Sequence, residues 1–207
     1  MANIIRKIYG ELKHRTIIFC INNLPAFKCI RQVQNPTQPI TFEHWYGQRV
    51  KGINRKVPWP VHTSSRIAGV ENIVIGEGSF PGYMPGSYIQ GLGKITIGKF
   101  CIFAPNIGII SANHDAYDNA KHIHKEVEIG DYCWIGMNAV ILPGVKLGNF
   151  TIVAAGAVVT KSFEEGYCIL GGNPAKIVKQ LEKDKCVSYN INTDYIGYRK
   201  KSEINRS

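Results

Sequence analysis

The chain has 207 residues, 44% of them hydrophobic, enough to bury one substantial core. Its formal charge of +10 asks for a polyanionic partner. Nucleic acid is disfavoured in that role: the sequence has no basic stripe interleaved with aromatics, no zinc-finger spacing and no helix-turn-helix pattern.

Residues 1–60 read as a helical and irregular segment. Ile4, Ile5, Ile8 and Leu12 form a helical stripe, and an apolar run continues from Thr16 to Ile21. That run is too short to span a bilayer, and Asn22-Asn23-Leu24-Pro25 interrupts it before a signal-peptide core can form. A cytoplasmic protein is the expectation. Arg6, Lys7, Lys13 and Arg15 beside the apolar residues allow at most peripheral membrane contact; packing against the body of the fold is the favoured reading. The six cysteines (Cys20, Cys29, Cys101, Cys133, Cys168, Cys186) lack C-x-x-C pairing and read as reduced thiols.

Residues 61–172 carry the strongest pattern. From Ile129 an aliphatic residue returns every sixth position (Ile129, Ile135, Ile141, Leu147, Val153, Val159). Four residues after each of the first five stands a small or β-branched partner: Cys133, Ala139, Val145, Thr151 and Ala157. A period of six fits neither a helix nor a flat strand, but it fits a solenoid of short strands that turns a corner each repeat. Three such repeats close a triangular coil that stacks on the next at ~4.8 Å, with the small residue in the inner corner. Ile97, Phe103 and Ile109 continue the register upstream with Cys101 in the small position, and Ile75-Gly76-Glu77-Gly78-Ser79 echoes it. The turn-rich residues 80–94 and the polar residues 113–126 are expected to leave the wall as loops. Residues 173–207 close the chain: Gly171-Gly172-Asn173-Pro174-Ala175-Lys176 reads as a turn and a short C-terminal helix with Pro at its first position, and beyond Leu181 a polar tail is expected.

The segment I-G-D-Y-C-W-I-G-M-N-A-V-I-L-P-G-V-K-L-G-N-F-T-I-V-A-A-G-A-V-V-T-K, followed by G-G-N-P-A-K-I-V-K, resembles the hexapeptide-repeat acyltransferases, in the branch of maltose, galactoside and polysaccharide O-acetyltransferases. The resemblance is strong over residues 95–180 and weaker over 57–94. It implies an all-β solenoid, a left-handed parallel β-helix, assembled as a homotrimer with sites at subunit interfaces. It also implies acetyl-CoA as co-substrate, whose phosphates would use several of the cations. The polar tail would drape on the trimer.

On this resemblance His114, in N-H-D-A-Y-D-N-A-K-H-I-H-K-E, is the general base that takes a proton from an acceptor hydroxyl as its oxygen attacks the thioester, with no cysteine nucleophile. Asp115 or Asp118 orients it, or else shapes the turn. Trp134 lines the pantetheine cleft, and the backbone N–H of Met137 meets the oxyanion. Ala154 and Ala155, with Gly156, leave room for pantetheine, with Thr160 and Lys161 further out; Lys176 and Lys179 meet the nucleotide phosphates. His122 and His124 read as solvated loop residues, not as metal ligands, because the H-x7-H-x-H spacing lies within one loop.

The maltose and galactoside enzymes carry a sugar-binding asparagine one coil before the histidine, where this chain reads G-Y-M-P-G-S-Y-I-Q. Tyr83, Tyr88 and Gln90, together with Asn113, are therefore the acceptor-binding candidates, and a cell-surface polysaccharide precursor is the expected acceptor. Acetylation of an antibiotic hydroxyl or an amino sugar is the alternative; a non-catalytic β-helix scaffold is a third reading.

Overall fold

The computed structural model describes residues 2–33, 35–191 and 193–204, with the backbone alone for residues 2–10, Lys13 and Ile204. From Arg66 onward the chain winds as a parallel β-helix with three walls. The first wall stacks Arg66–Ala68, Tyr88–Gln90, Gly108–Ile110, Val140–Ile141 and Val158–Val159. The second stacks Ile73–Ile75, Ile95–Ile97, Val127–Ile129 and Lys146–Leu147, with Phe163 bridged to Leu147. The third stacks Ile102–Phe103, Trp134–Ile135, Ile152–Val153 and Cys168–Gly171.

The hexad residues form the core. Ile135 pairs with Val153, Ile141 with Val159 and Leu147 with Ile129, so each aliphatic side chain lies over its counterpart in the next coil. All six are buried, as are Cys133, Ala139, Val145, Thr151 and Ala157 at the inner corners. The corners on either side of the third wall bend through residues with positive φ. Phe100, Tyr132, Phe150 and Tyr167 take φ of 55°, 57°, 54° and 48° between the second and third walls, a conformation unfavourable for aromatic residues. Their rings stack in a column with centroids 5.6, 4.8 and 5.3 Å apart, which offsets that cost. Between the third and first walls the same role falls to Asn106, Asn138 and Gly156, residue types that tolerate it.

Several segments depart from expectation. Residues 80–94 do not leave the wall as one loop: Phe80 and Tyr83 are buried, and Tyr88–Gln90 is a regular strand of the first wall. Residues 113–126 do leave it, as an antiparallel hairpin of Ala112–His114 with His122–His124. No helix forms after Pro174. Lys176–Gln180 is a strand that turns back antiparallel on Cys168–Gly171, after a cis Asn173–Pro174 peptide. Alternating hydrogen bonds to the open end of the third wall satisfy this backbone better than a helix standing free of it. The tail drapes over its own coil: Tyr189 packs on Phe100 and Tyr132, the Tyr132 hydroxyl donates to the Tyr189 carbonyl (2.7 Å), and Lys201 pairs with Glu77 (2.8 Å). A short helix, Lys201–Ile204, lies in that tail.

At the N-terminus, α1 (Ala2–Asn23) packs on the 3-10 turn Pro25–Phe27 and on α2 (Lys28–Gln32). The contact with the coil expected of this segment is made by its second half. Val33, Ile40 and Trp59 join the core, and α3 (Phe42–Arg49), capped by Thr41, sets His44 against Tyr83 with ring centroids 4.4 Å apart. The side chains of Ile4, Ile5, Arg6, Lys7, Ile8 and Lys13 lie outside the described residues. Among the described residues no helix is long and apolar enough to cross a membrane.

Candidate active site

The hairpin leaves the coil at the corner between the first and second walls, and buried Ser111 fixes its root. The Ser111 hydroxyl donates to the Gln90 carbonyl (2.7 Å) and accepts from the Gly93 N–H (2.9 Å), while the Lys125 N–H donates to the Ser111 carbonyl (2.9 Å). The turn is built by its acids. Asp115 Oδ1 accepts from the Tyr117 and Asp118 N–H groups (2.8 and 3.1 Å), and Asp118 Oδ1 accepts from the Ala120 N–H (3.2 Å).

His114 ends the outgoing strand and is exposed. Its Nδ1 lies 2.5 Å from the Asn119 carbonyl oxygen, and its ring centroid is 4.4 Å from that of His122, its cross-strand partner. A carbonyl oxygen only accepts, so Nδ1 carries the proton of the neutral ring and Nε2 keeps its lone pair free. This is the state a general base needs. Neither Asp115 nor Asp118 bonds to the imidazole; of the two roles left open by the sequence, both take the turn-shaping one and hold the turn that delivers the Asn119 carbonyl. Asn119 was invisible to motif reading because it acts through its backbone, and His122 and His124, expected in a loop, stand in a strand and are exposed. The alternation of His122, Ile123 and His124 was the available sign of a strand.

The acceptor candidates separate. Tyr83 is buried with its hydroxyl donated to the Pro39 carbonyl (2.9 Å), so it does not face the hairpin as a free ligand. Tyr88 is exposed on the outer face of the first wall. Gln90 lies at the hairpin root, paired with Ile110, and its buried Oε1 has no hydrogen-bond partner. Asn113 pairs through its backbone with Ile123 and is exposed.

A second set of residues gathers at the third wall and the corner that joins it to the first. Trp134 is 50% exposed, in an outward column with Ile102, Ile152 and Ile169. At the corner the ladder pairs alternate donors: Gly136 N–H with Val153 (2.8 Å), Asn138 N–H with Pro105 (3.2 Å), Ala154 N–H with Leu170 (2.8 Å) and Gly156 N–H with Met137 (2.8 Å). The N–H groups of Met137 and Ala155, between these, make no bond and sit in register one coil apart. Gly136 permits the close stacking there, since a Cβ on it would come within 2.7 Å of the Ala155 nitrogen. Thr160 and Lys161 are exposed beyond, with the Lys161 ammonium 5.6 Å from the Phe163 ring centroid. Lys176 and Lys179 are exposed on the returning strand, which Val158 and Ala175 tie to the first wall (3.0 and 2.8 Å).

The first wall separates His114 from this second set, so one chain does not bring the two together. The outer faces differ in kind. The first wall presents Arg66, Tyr88, Gly108, Val140 and Val158, and the third presents Ile102, Trp134, Ile152 and Ile169. The second wall carries Val74, Thr96, Glu128 and Lys146, the last two ion-paired at 2.7 Å. Among the described residues no group of three or more His, Cys, Asp or Glu side chains could hold a metal ion.

The bacterial transferase hexapeptide (six repeats) family matches residues 126–161. A Lysinibacillus sphaericus protein named "Probable macrolide acetyltransferase" is 31% identical over 124 residues, which cover 49% of this chain and 68% of that protein. The chain belongs to the hexapeptide-repeat transferase family. A Dictyostelium discoideum protein whose name provisionally makes it an acetyltransferase is 40% identical to this hexapeptide transferase over 114 residues, 53% of this chain and 58% of its own length. With further relatives matched over 45% and 48% of their lengths, the chain spans about half the length of the curated relatives it matches. The crystal structure of a maltose O-acetyltransferase from Clostridium difficile 630 is similar with a TM-score of 0.55 and 27% identity, covering 79% of this chain and 91% of that one. The fold is the left-handed parallel β-helix of hexapeptide transferases.

Proposed function

We propose that this hexapeptide transferase moves an acetyl group from acetyl-CoA to a hydroxyl of a sugar or of a cell-surface polysaccharide precursor, at sites shared between neighbouring copies of a homotrimer. The observation that carries the reading is His114: the Asn119 carbonyl holds the Nδ1 proton and leaves Nε2 basic at an exposed hairpin corner. In the step, His114 Nε2 takes the acceptor's hydroxyl proton as that oxygen attacks the thioester carbonyl. The free Met137 N–H of the adjoining copy stabilises the charge on the carbonyl oxygen as the tetrahedral centre forms. When the C–S bond breaks, His114 returns its proton to the departing sulfur, giving free CoA thiol and the acetyl ester.

The donor fits what the corner offers. The Ala155 N–H is free to pair with an amide carbonyl of pantetheine, Ala154 and Gly156 leave room beside it, and Lys161, Lys176 and Lys179 are exposed cations for phosphates. The shared site is supported by the separation of His114 from this corner, and by the apolar outer face of the third wall around Trp134. Trp134, half exposed on an apolar wall, would be covered in such an assembly. Gln90, with its unpartnered buried oxygen at the hairpin root, is the best placed of the acceptor candidates.

A second reading has a specific basis, since the Lysinibacillus relative is named for a macrolide. Thiol release from acetyl-CoA, measured with a panel of oligosaccharides, nucleotide sugars, macrolides and chloramphenicol, separates them. Turnover on glycans supports the sugar reading; turnover confined to antibiotics replaces it, and no turnover with any acceptor or water would favour a scaffold.

A further inference from the structure

The coil and its candidate site leave α1 unused. This helix of 22 residues packs on the Pro25–Phe27 turn and α2, and is joined to the coil side through Phe27, which nests against Phe42 and Trp45 of α3 (ring centroids 5.9 and 4.6 Å). Leu12 and Phe19 stand seven residues apart, hence on one helical face, and are 59% and 65% exposed. Arg15 lies between them on that face and is exposed, and Leu24, just past the helix end, is exposed as well. Residues 1–31 hold six lysines and arginines (Arg6, Lys7, Lys13, Arg15, Lys28, Arg31) against one acid, Glu11, which is half of the chain's formal charge of +10. Arg31 donates to the Leu24 carbonyl (3.0 Å) and to that of Ile21, so it also secures the end of the helix.

An exposed Leu and Phe on the same face as an arginine, within a strongly basic segment, is the pattern of a helix lying in a membrane interface: the rings and branched chains enter the acyl boundary while arginine extends its head to the phosphates. The segment is too polar to cross. We propose that α1 docks this protein on an anionic lipid bilayer, with Leu12 and Phe19 inserted and Arg15 among the headgroups. The charge complementarity selects anionic lipid over a neutral surface. This docking is independent of which acceptor the candidate site takes.

The test mixes the full chain with vesicles of phosphatidylcholine containing phosphatidylglycerol, or of phosphatidylcholine alone, and sediments them. The protein should pellet with the anionic vesicles and be released as salt is raised. The Leu12→Ser, Phe19→Ser double variant should partition ~10–100-fold more weakly with an unchanged melting temperature, because the two side chains pack in no core. A Phe19→Trp variant should show a blue-shifted emission with anionic vesicles. No pelleting, equal pelleting with neutral vesicles, or undiminished binding by the double variant would overturn the proposal. So would a change in the oligomeric state of the double variant, which would assign the face to another copy of the chain.

Discussion

Met137 occupies, one coil on, the place of Pro105: Ile135 pairs with Phe103, and the Asn138 N–H donates back to the Pro105 carbonyl (3.2 Å). The coil therefore already accommodates a residue without an N–H at this corner, and the free N–H of Met137 is not needed to build it. Met137→Pro should leave the melting temperature nearly unchanged while lowering kcat ~10²–10³-fold, the usual loss for one oxyanion donor. Paired thermal and steady-state measurements check this; an unaltered kcat in a folded variant would remove Met137 from the mechanism.

His114→Ala should lower kcat by ~10²–10⁴-fold without unfolding the protein, since the side chain is exposed and packs in no core. The check is thiol release at saturating donor and acceptor. Acetyl transfer at the wild-type rate by the folded variant would refute the general-base role.

The hexad period made the coil legible because each wall position has one chemical requirement: aliphatic at Ile135 or Val153, small at Ala139 or Thr151. The same logic fails where several backbones satisfy one pattern. Pro174 suits the first turn of a helix, yet the open edge of Cys168–Gly171 supplies hydrogen bonds that make Lys176–Gln180 a strand. Tyr83 looked like a loop aromatic, but α3, far off in sequence, covers it and takes it into the core. The excursion that carries His114 was legible from its place between repeat blocks. The histidine's partner was not, because a carbonyl such as that of Asn119 leaves no mark in residue type.

Lys176 and Lys179 are both exposed on the returning strand, where their ammonium groups are open to a donor's phosphates. Changing both to Gln should raise KM for acetyl-CoA more than for acetyl-dephospho-CoA, because only the former presents the 3′-phosphate. Equal increases for the two donors would show that these lysines do not recognise that phosphate.

His44 sets a pH dependence of stability. Burial holds its pKa below the ordinary 6.5; its Nε2 donates to the Tyr83 carbonyl (3.1 Å) and its Nδ1 accepts from the Thr41 hydroxyl (2.7 Å). The unfolded chain then binds a proton that the folded one refuses, so this contribution is complete above the unfolded value and is lost as pH falls through the window below it. Denaturant unfolding between neutral and mildly acidic pH should show stability falling with pH, less steeply in His44→Gln than in the wild type. Identical slopes would mean that His44 does not contribute.

The shared site is tested most directly by complementation. His114→Ala and Ala155→Trp should each be nearly inactive, the first lacking the base and the second having its open corner filled. If His114 of one copy works with the Ala155 corner of the next, random trimers of equal amounts contain ~1/4 of sites with both halves intact. Acetyl transfer after co-refolding should then rise well above that of either parent. Mixed trimers, verified as such, that stay as inactive as both parents would place the two halves on one chain and contradict the account.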